Sequence, residues 1–247
     1  EPWALAERTT GKTSRTVSAR RLWQNIAEAA WHSADPGVQY DTTIDVWHTG
    51  PASGRINASN PCSEYMFLDD TACNLASLNL MRFRRIDGSF DVEAFAHAVR
   101  LWTVVLDISV MMAQYPSRRI AELSYRYRTL GLGYANLGAL LMASRLPYDS
   151  VAGRAIAAAV TAVMTGAAYT TSAEMARLLG AFADFAANRD AMLRVVRNHR
   201  RAAHGEATGY EGLSIAPVPF DARQCPDPAL AAAARRQWDD AVRSGER

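Results

Sequence analysis

Apolar residues Ala19, Leu22, Trp23, Ile26 and Ala30 recur at helical spacing, and Ser18 stands where it can cap the first turn. Asp35-Pro36-Gly37 ends that helix. "VQYD" (38–41) reads as a short strand, and residues 42–59, punctuated by Pro51, Ser53, Gly54 and Asn57, as an irregular connection. The imperfect alternation of "NLASLNLMRF" (74–83) predicts a strand, closed by the Asp87-Gly88 turn. Asp91 caps a long helix over 91–114 with a Phe95, Val99, Trp102, Leu106, Val110 stripe expected to be buried. Pro116 breaks it and Ser117 caps a helix over 117–126. "TLGLG" (129–133) reads as a glycine-bearing turn into a helix that runs through Leu141. Further helices are predicted over 150–179, 189–202 and 228–244, with "GLSIAPVPF" (212–220) an extended, proline-bounded connector.

The pattern is helix-rich with few strands, too few to close a parallel barrel, so the chain is expected to be a piece of something longer. Its first residue is Glu, and no charged-then-apolar leader follows. Composition changes little in this picture. At 247 residues, 49% hydrophobic and 21% charged, the chain can bury a sizeable core and is globular rather than disordered. A net charge of +2 without a basic stripe gives no reason to expect direct nucleic-acid binding. No run approaches eighteen apolar residues, so no membrane-spanning helix is expected. Three cysteines make no secreted disulfide framework and point to a reducing, cytoplasmic setting.

Candidate chemistry concentrates in "NPCSEYMFLDDTACNLASLNL" (60–80), which holds Cys62 and, eleven residues on, Cys73. In an extended segment Asn60, Cys62 and Glu64 would share one face, each pair roughly 6.5 Å apart along the backbone, with Pro61 and Ser63 turned away. Pro61 biases Asn60 toward that extended form. A row of amide, thiol and carboxylate can address several positions of one hydroxyl-rich ring. Taken alone the triplet is weak, because a cysteine in a globular chain is more often a packing residue than a catalyst. A zinc pair at Cys62 and Cys73 is disfavoured by their spacing, since structural sites place cysteines about two to four apart. A thiolate nucleophile lacks an identifiable general base among His32, His48, His97, His199 and His204. Neither alternative accounts for Glu64.

The longer string "SNPCSEYMFLDDTACNLASLNL" (59–80) resembles the active-site finger of adenosylcobalamin-dependent (class II) ribonucleotide reductases of the long bacterial type. The likeness extends upstream through "AAWHSADPGVQYDTTIDVWHTGPASGRINA" and downstream through "DISVMMAQYPSRRIAELSYRYRTLGLGYANLGALLM". It is specific over residues 20–148 and looser to the end. The resemblance implies an α/β fold, a fragment of the family's ten-stranded α/β barrel. Residues 1–148 would be a barrel segment carrying the finger (about 58–80), and 149–247 a mostly helical continuation of the same catalytic domain.

It also implies roles. Cys62 takes the position of the thiyl radical that abstracts the 3′-hydrogen of a ribonucleotide. Glu64 takes that of the carboxylate accepting the 3′-hydroxyl proton, and Asn60 that of the amide holding the sugar hydroxyls. Cys73 becomes one of two reducing thiols, its partner lying outside this chain. Asn60, Pro61, Cys62, Ser63 and Glu64 would contact substrate. The implied cofactor is adenosylcobalamin, and no metal-ligand set is assigned. Implied partners of the full-length protein are a nucleotide effector and a thioredoxin-like reductant, with a homodimer allowed. A class I enzyme with a separate radical-generating subunit is the neighbouring alternative. The isolated chain is expected to be a non-catalytic helical module. Cys225, Asp69-Asp70, "GLGYANLG" (131–138) and "RVVRNHRR" (194–201) read as structural or solvated.

Overall fold

The computed structural model describes all of residues 1–247, which divide into two compact units, Glu1–Tyr40 and Asp41–Arg247. In the first, strands β1 (Pro2–Ala6) and β2 (Thr13–Ser18) form an antiparallel hairpin that the sequence pattern did not announce. Helix α1 (Ala19–Ser33) follows, with the Ser18 hydroxyl accepting from Arg21 N–H at its start and Ala34 in the left-handed region at its end.

The second unit opens with helix α2 (Asp41–Val46), which overturns both the strand expected at 38–41 and the wholly irregular reading of 42–59. Asp41 places a negative charge on the first turn, where it complements the exposed N–H groups. Strand β3 (Asn74–Asn79) runs into a 3-10 turn, Leu80–Phe83. Helix α3 (Val92–Met112) starts at Asp91, whose carboxylate accepts from Ala94 N–H at 3.1 Å. Helix α4 (Arg118–Tyr127) starts at Ser117, as expected.

The stretch read as a glycine turn is instead strand β4 (Leu130–Ala135), paired in parallel with β3 from Asn74↔Leu130 to Asn79↔Ala135. Parallel neighbours need a long crossover, which α3 and α4 provide, and α3 packs on both strands. Helices α5 (Leu137–Ala143), α6 (Val151–Leu179), α7 (Phe185–Ala203) and α8 (Pro228–Gly245) complete the unit.

The core lies where α6 meets α8 and α3. Leu80, Phe95, Val99, Val160, Val163 and Leu230 are fully buried there. Phe83, Phe90 and Phe95 pack with ring centroids 5.1 to 6.2 Å apart. Small residues let α6 and α8 approach closely: a Cβ on Gly166 would lie 2.8 Å from the Gln237 backbone carbon. On α3 the stripe departs from expectation at one position. Trp102 is 43% exposed and Thr103 is buried, because the buried series 95, 99, 103, 106, 110 follows the helical repeat and Trp102 falls beside it. The Thr103 hydroxyl is satisfied by the Val99 carbonyl. Helices α3 and α6 are long and apolar enough to match a bilayer crossing (mean hydropathy 1.4 and 1.5), contrary to the sequence expectation, although each contributes to this core.

Candidate active site

Residues 59–73 form the finger. An antiparallel bridge between Ser59 and Met66 joins its two limbs, leaving 60–65 as the tip. The tip is a turn and not an extended run: Ser63 N–H donates to the Asn60 carbonyl at 3.0 Å, and Ser63 has φ of 65°. The expected alternation of Asn60, Cys62 and Glu64 on one strand face is therefore corrected. The signal was present in Asn60-Pro61, since Asn favours the first and Pro the second position of a β-turn. The Asn60 side chain then closes the turn, its Oδ1 accepting from Tyr65 N–H at 3.0 Å. Its Nδ2 remains for another acceptor. Pro61, Cys62, Ser63 and Glu64 are all exposed, so the thiol sits on the outermost turn.

Cys73 is built differently. It is half-buried just before β3, with both neighbours fixed. Ala72 N–H donates to the Ser124 hydroxyl at 3.0 Å, and the Ala72 carbonyl accepts from Thr129 at 2.8 Å. The Asn74 carboxamide donates to the Leu106 carbonyl and the Ser109 hydroxyl on α3. Across the strand pair, Gly131 leaves room for the sulfur. Burial pushes the Cys73 thiol up, and the Glu64 carboxylate adds to the shift by disfavouring a second negative charge nearby. The turn thus brings Glu64 into electrostatic range of Cys73, a pairing that strand alternation did not suggest.

The return limb rests on an aromatic chain. Phe67 meets His48 and Tyr127 edge-on, and Tyr65 tilts against Phe67. His48 is buried, its Nε2 facing the Gly54 carbonyl at 3.1 Å and its Nδ1 accepting from Gly50 N–H; burial lowers its pKa. Loop residues Ala52 and Ser53 are held by Asn188, and Asp184 accepts from Tyr127, Ser53 and Arg126. Sequence reasoning missed Tyr65, Thr71, Ser124, Thr129 and Gly131. Only Gly131 carried a usable signal, since a glycine inside a strand marks close backbone approach.

Cys225 and Asp69-Asp70 fall as read, whereas 194–201 is not a solvated face: none of its residues is exposed, and Val195, Val196 and Asn198 are buried. Cys225 is buried in the core, with its Sγ 3.4 Å from the Asp227 carbonyl. Asp69 and Asp70 are exposed, accepting from Asn57 and Arg119 respectively. The arginines of 194–201 are partly engaged, Arg197 bidentate to Glu211 and Arg200 paired with Asp239.

The site is thus a parallel strand pair joined through helices α3 and α4, with one exposed and one sheltered thiol on a single finger. The chain belongs to the ribonucleotide reductase family: residues 3–247 match the family's barrel domain. It is 62% identical over 246 residues to the vitamin B12-dependent ribonucleotide reductase of Agrobacterium fabrum, covering 99% of this chain and 19% of that protein. It is 60% identical over 246 residues to the protein of the same name from Bradyrhizobium diazoefficiens, covering 99% of this chain and 20% of the relative. For the Streptomyces coelicolor counterpart the identity is 47% over 249 residues, 99% of this chain and 24% of the relative. The chain thus spans about a fifth to a quarter of the length of these relatives. The helix-rich architecture with few strands fits a portion of that α/β barrel.

Proposed function

We propose that the full-length protein containing this chain reduces ribonucleotides to 2′-deoxyribonucleotides by radical chemistry, with Cys62 as the thiyl-bearing residue. The observation that carries this reading is the pairing of two unlike thiols on one finger. Cys62 is exposed at the tip, and Cys73 is sheltered at its base within the field of Glu64.

The Cys62 sulfur, as a radical, abstracts the 3′-hydrogen and later returns it. Glu64 takes the 3′-hydroxyl proton, and the Asn60 Nδ2 holds a sugar hydroxyl. The tip backbone at Pro61 and Ser63 lies against the substrate. The 2′-hydroxyl leaves as water. Cys73 and a partner thiol outside this chain supply two hydrogens and end as a disulfide, so the balance closes. Keeping Cys73 protonated suits it to give up hydrogen, and burial beside Glu64 does that.

An exposed thiol at the outermost turn suits hydrogen-atom exchange with a group approaching from beyond this chain. In the reading we favour that group is adenosylcobalamin, which supplies a carbon-centred radical when its cobalt–carbon bond breaks. The relatives' names, which specify vitamin B12 dependence, support it over a class I enzyme with a separate radical-generating subunit. A thioredoxin-like reductant, a nucleotide effector, a homodimer and a cytoplasmic setting belong to the same proposal. We assign residues 1–148 to the barrel segment that carries the finger and 149–247 to its helical continuation. The chain by itself is proposed to be inactive, lacking the second reducing thiol.

The test is turnover of the full-length protein with adenosylcobalamin, ribonucleotide and a dithiol. Cys62→Ala is expected to abolish it. Cys73→Ala is expected to keep some consumption of ribonucleotide while losing sustained deoxyribonucleotide formation. Normal multiple turnover by both variants overturns the assignment.

A further inference from the structure

We propose that Tyr65 is a positioning residue that sets the Cys62 turn against the Cys73 cradle; this rests on the ribonucleotide reductase reading of the finger. Tyr65 is where the two halves of the site meet. Its backbone N–H donates to the Asn60 side chain and closes the tip turn. Its phenol oxygen lies 2.8 Å from the Thr71 hydroxyl and 2.9 Å from the Thr129 hydroxyl. Thr71 stands on the finger's return limb two residues before Cys73, and Thr129 immediately precedes β4. Thr71 donates to the Leu68 carbonyl and Thr129 to the Ala72 carbonyl, next to the sulfur-bearing residue.

Three hydroxyls have three protons for four contacts, and the two carbonyls can only accept. With each threonine committed to its carbonyl, the phenol proton is shared between the threonines. A single ring, rigid apart from two side-chain torsions, therefore bridges tip, return limb and β4. The ring itself is half-buried against Phe67. Removing the phenol oxygen breaks both threonine contacts while leaving the ring in place. The tip can then drift relative to Cys73 without the core being disturbed. Delivery of hydrogen from Cys73 depends on that separation, whereas capture of substrate at the tip does not.

The experiment compares full-length wild type, Tyr65→Phe, Thr129→Val and Thr129→Ser, measuring ribonucleotide consumed per deoxyribonucleotide formed together with kcat and KM. Tyr65→Phe is expected to lower kcat by about ten- to a hundredfold, as small misplacements do, and to change KM by less than about twofold. It should also raise the substrate consumed per product, because sugar radicals formed at the tip go unreduced. Thr129→Val should behave likewise, and Thr129→Ser should restore wild-type coupling. The Tyr65→Phe/Thr129→Val double variant should lose less than the two single losses combined, since both cut the Tyr65–Thr129 contact. A merely structural role lowers the active fraction and leaves the consumed-to-product ratio unchanged. An unchanged ratio in Tyr65→Phe, or in Thr129→Val should the tyrosine variant not fold, overturns the proposal. The functional reading fails separately, if wild type forms no deoxyribonucleotide or Cys62→Ala still turns over.

Discussion

The Cys73 sulfur lies 3.5 Å from the point where a Cβ on Gly131 would stand, so the sheltered thiol and the glycine of the neighbouring strand are matched in shape. The same Cβ would come within 2.7 Å of the Asn74 carbonyl oxygen and closer still to the Leu75 side chain. Backbone cannot yield as a flexible side chain can.

Gly131→Ala is therefore expected to push β4 away from β3 and to unseat Cys73. Overpacking of this kind costs about 1–3 kcal/mol. In the full-length protein the variant should melt at lower temperature and lose more deoxyribonucleotide formation than the stability loss alone explains. A wild-type melting temperature together with wild-type turnover would show that the strands have room to spare.

The Cys73 thiol is held above the ordinary range first by burial and then by the Glu64 charge. Taking away a negative charge favours the thiolate, so Glu64→Gln should lower the pH midpoint of Cys73 alkylation. It should not bring it to that of a free cysteine, because burial remains. Peptide mass spectrometry of Cys73 after timed alkylation, from about pH 7 to about pH 11, reads the shift. A midpoint that rises or stays put in Glu64→Gln would contradict the placement of the carboxylate.

His48 and His199 both have pKa values lowered from 6.5, in each case chiefly by burial. The unfolded chain then binds protons that the folded one does not. Stability contributed by these groups is complete above their unfolded pKa and is lost as pH falls through their lower folded values. Thermal melts from about pH 8 to about pH 5 should show this decline. His199 stacks on Trp238 with ring centroids 4.9 Å apart, so His199→Phe should keep the contact and flatten part of the pH slope. An unchanged slope in that variant would show that His199 already takes up its proton in the folded state.

Local signals in the sequence were legible because their physics is local. Ser18, Asp91 and Ser117 each cap a helix. What escaped depends on partners far along the chain. "TLGLG" looks like a turn until β3 is beside it, when its glycines become the places where two backbones can approach. Asn60-Pro61 constrains one residue's backbone, but its stronger message is a reversal of direction. The identities of Asn60, Cys62, Glu64 and Cys73 stood out as residue types, whereas the Tyr65–Thr71–Thr129 bridge has no mark in the sequence: its hydroxyls are up to 64 positions apart.

The β3–β4 ribbon gives each strand a companion on one side only. The opposite margins carry main-chain donors and acceptors in register, with Leu75 two-thirds exposed nearby. Made on its own, this stretch of polypeptide would find its own copies the readiest source of extra strands, and concentrated samples would turn cloudy.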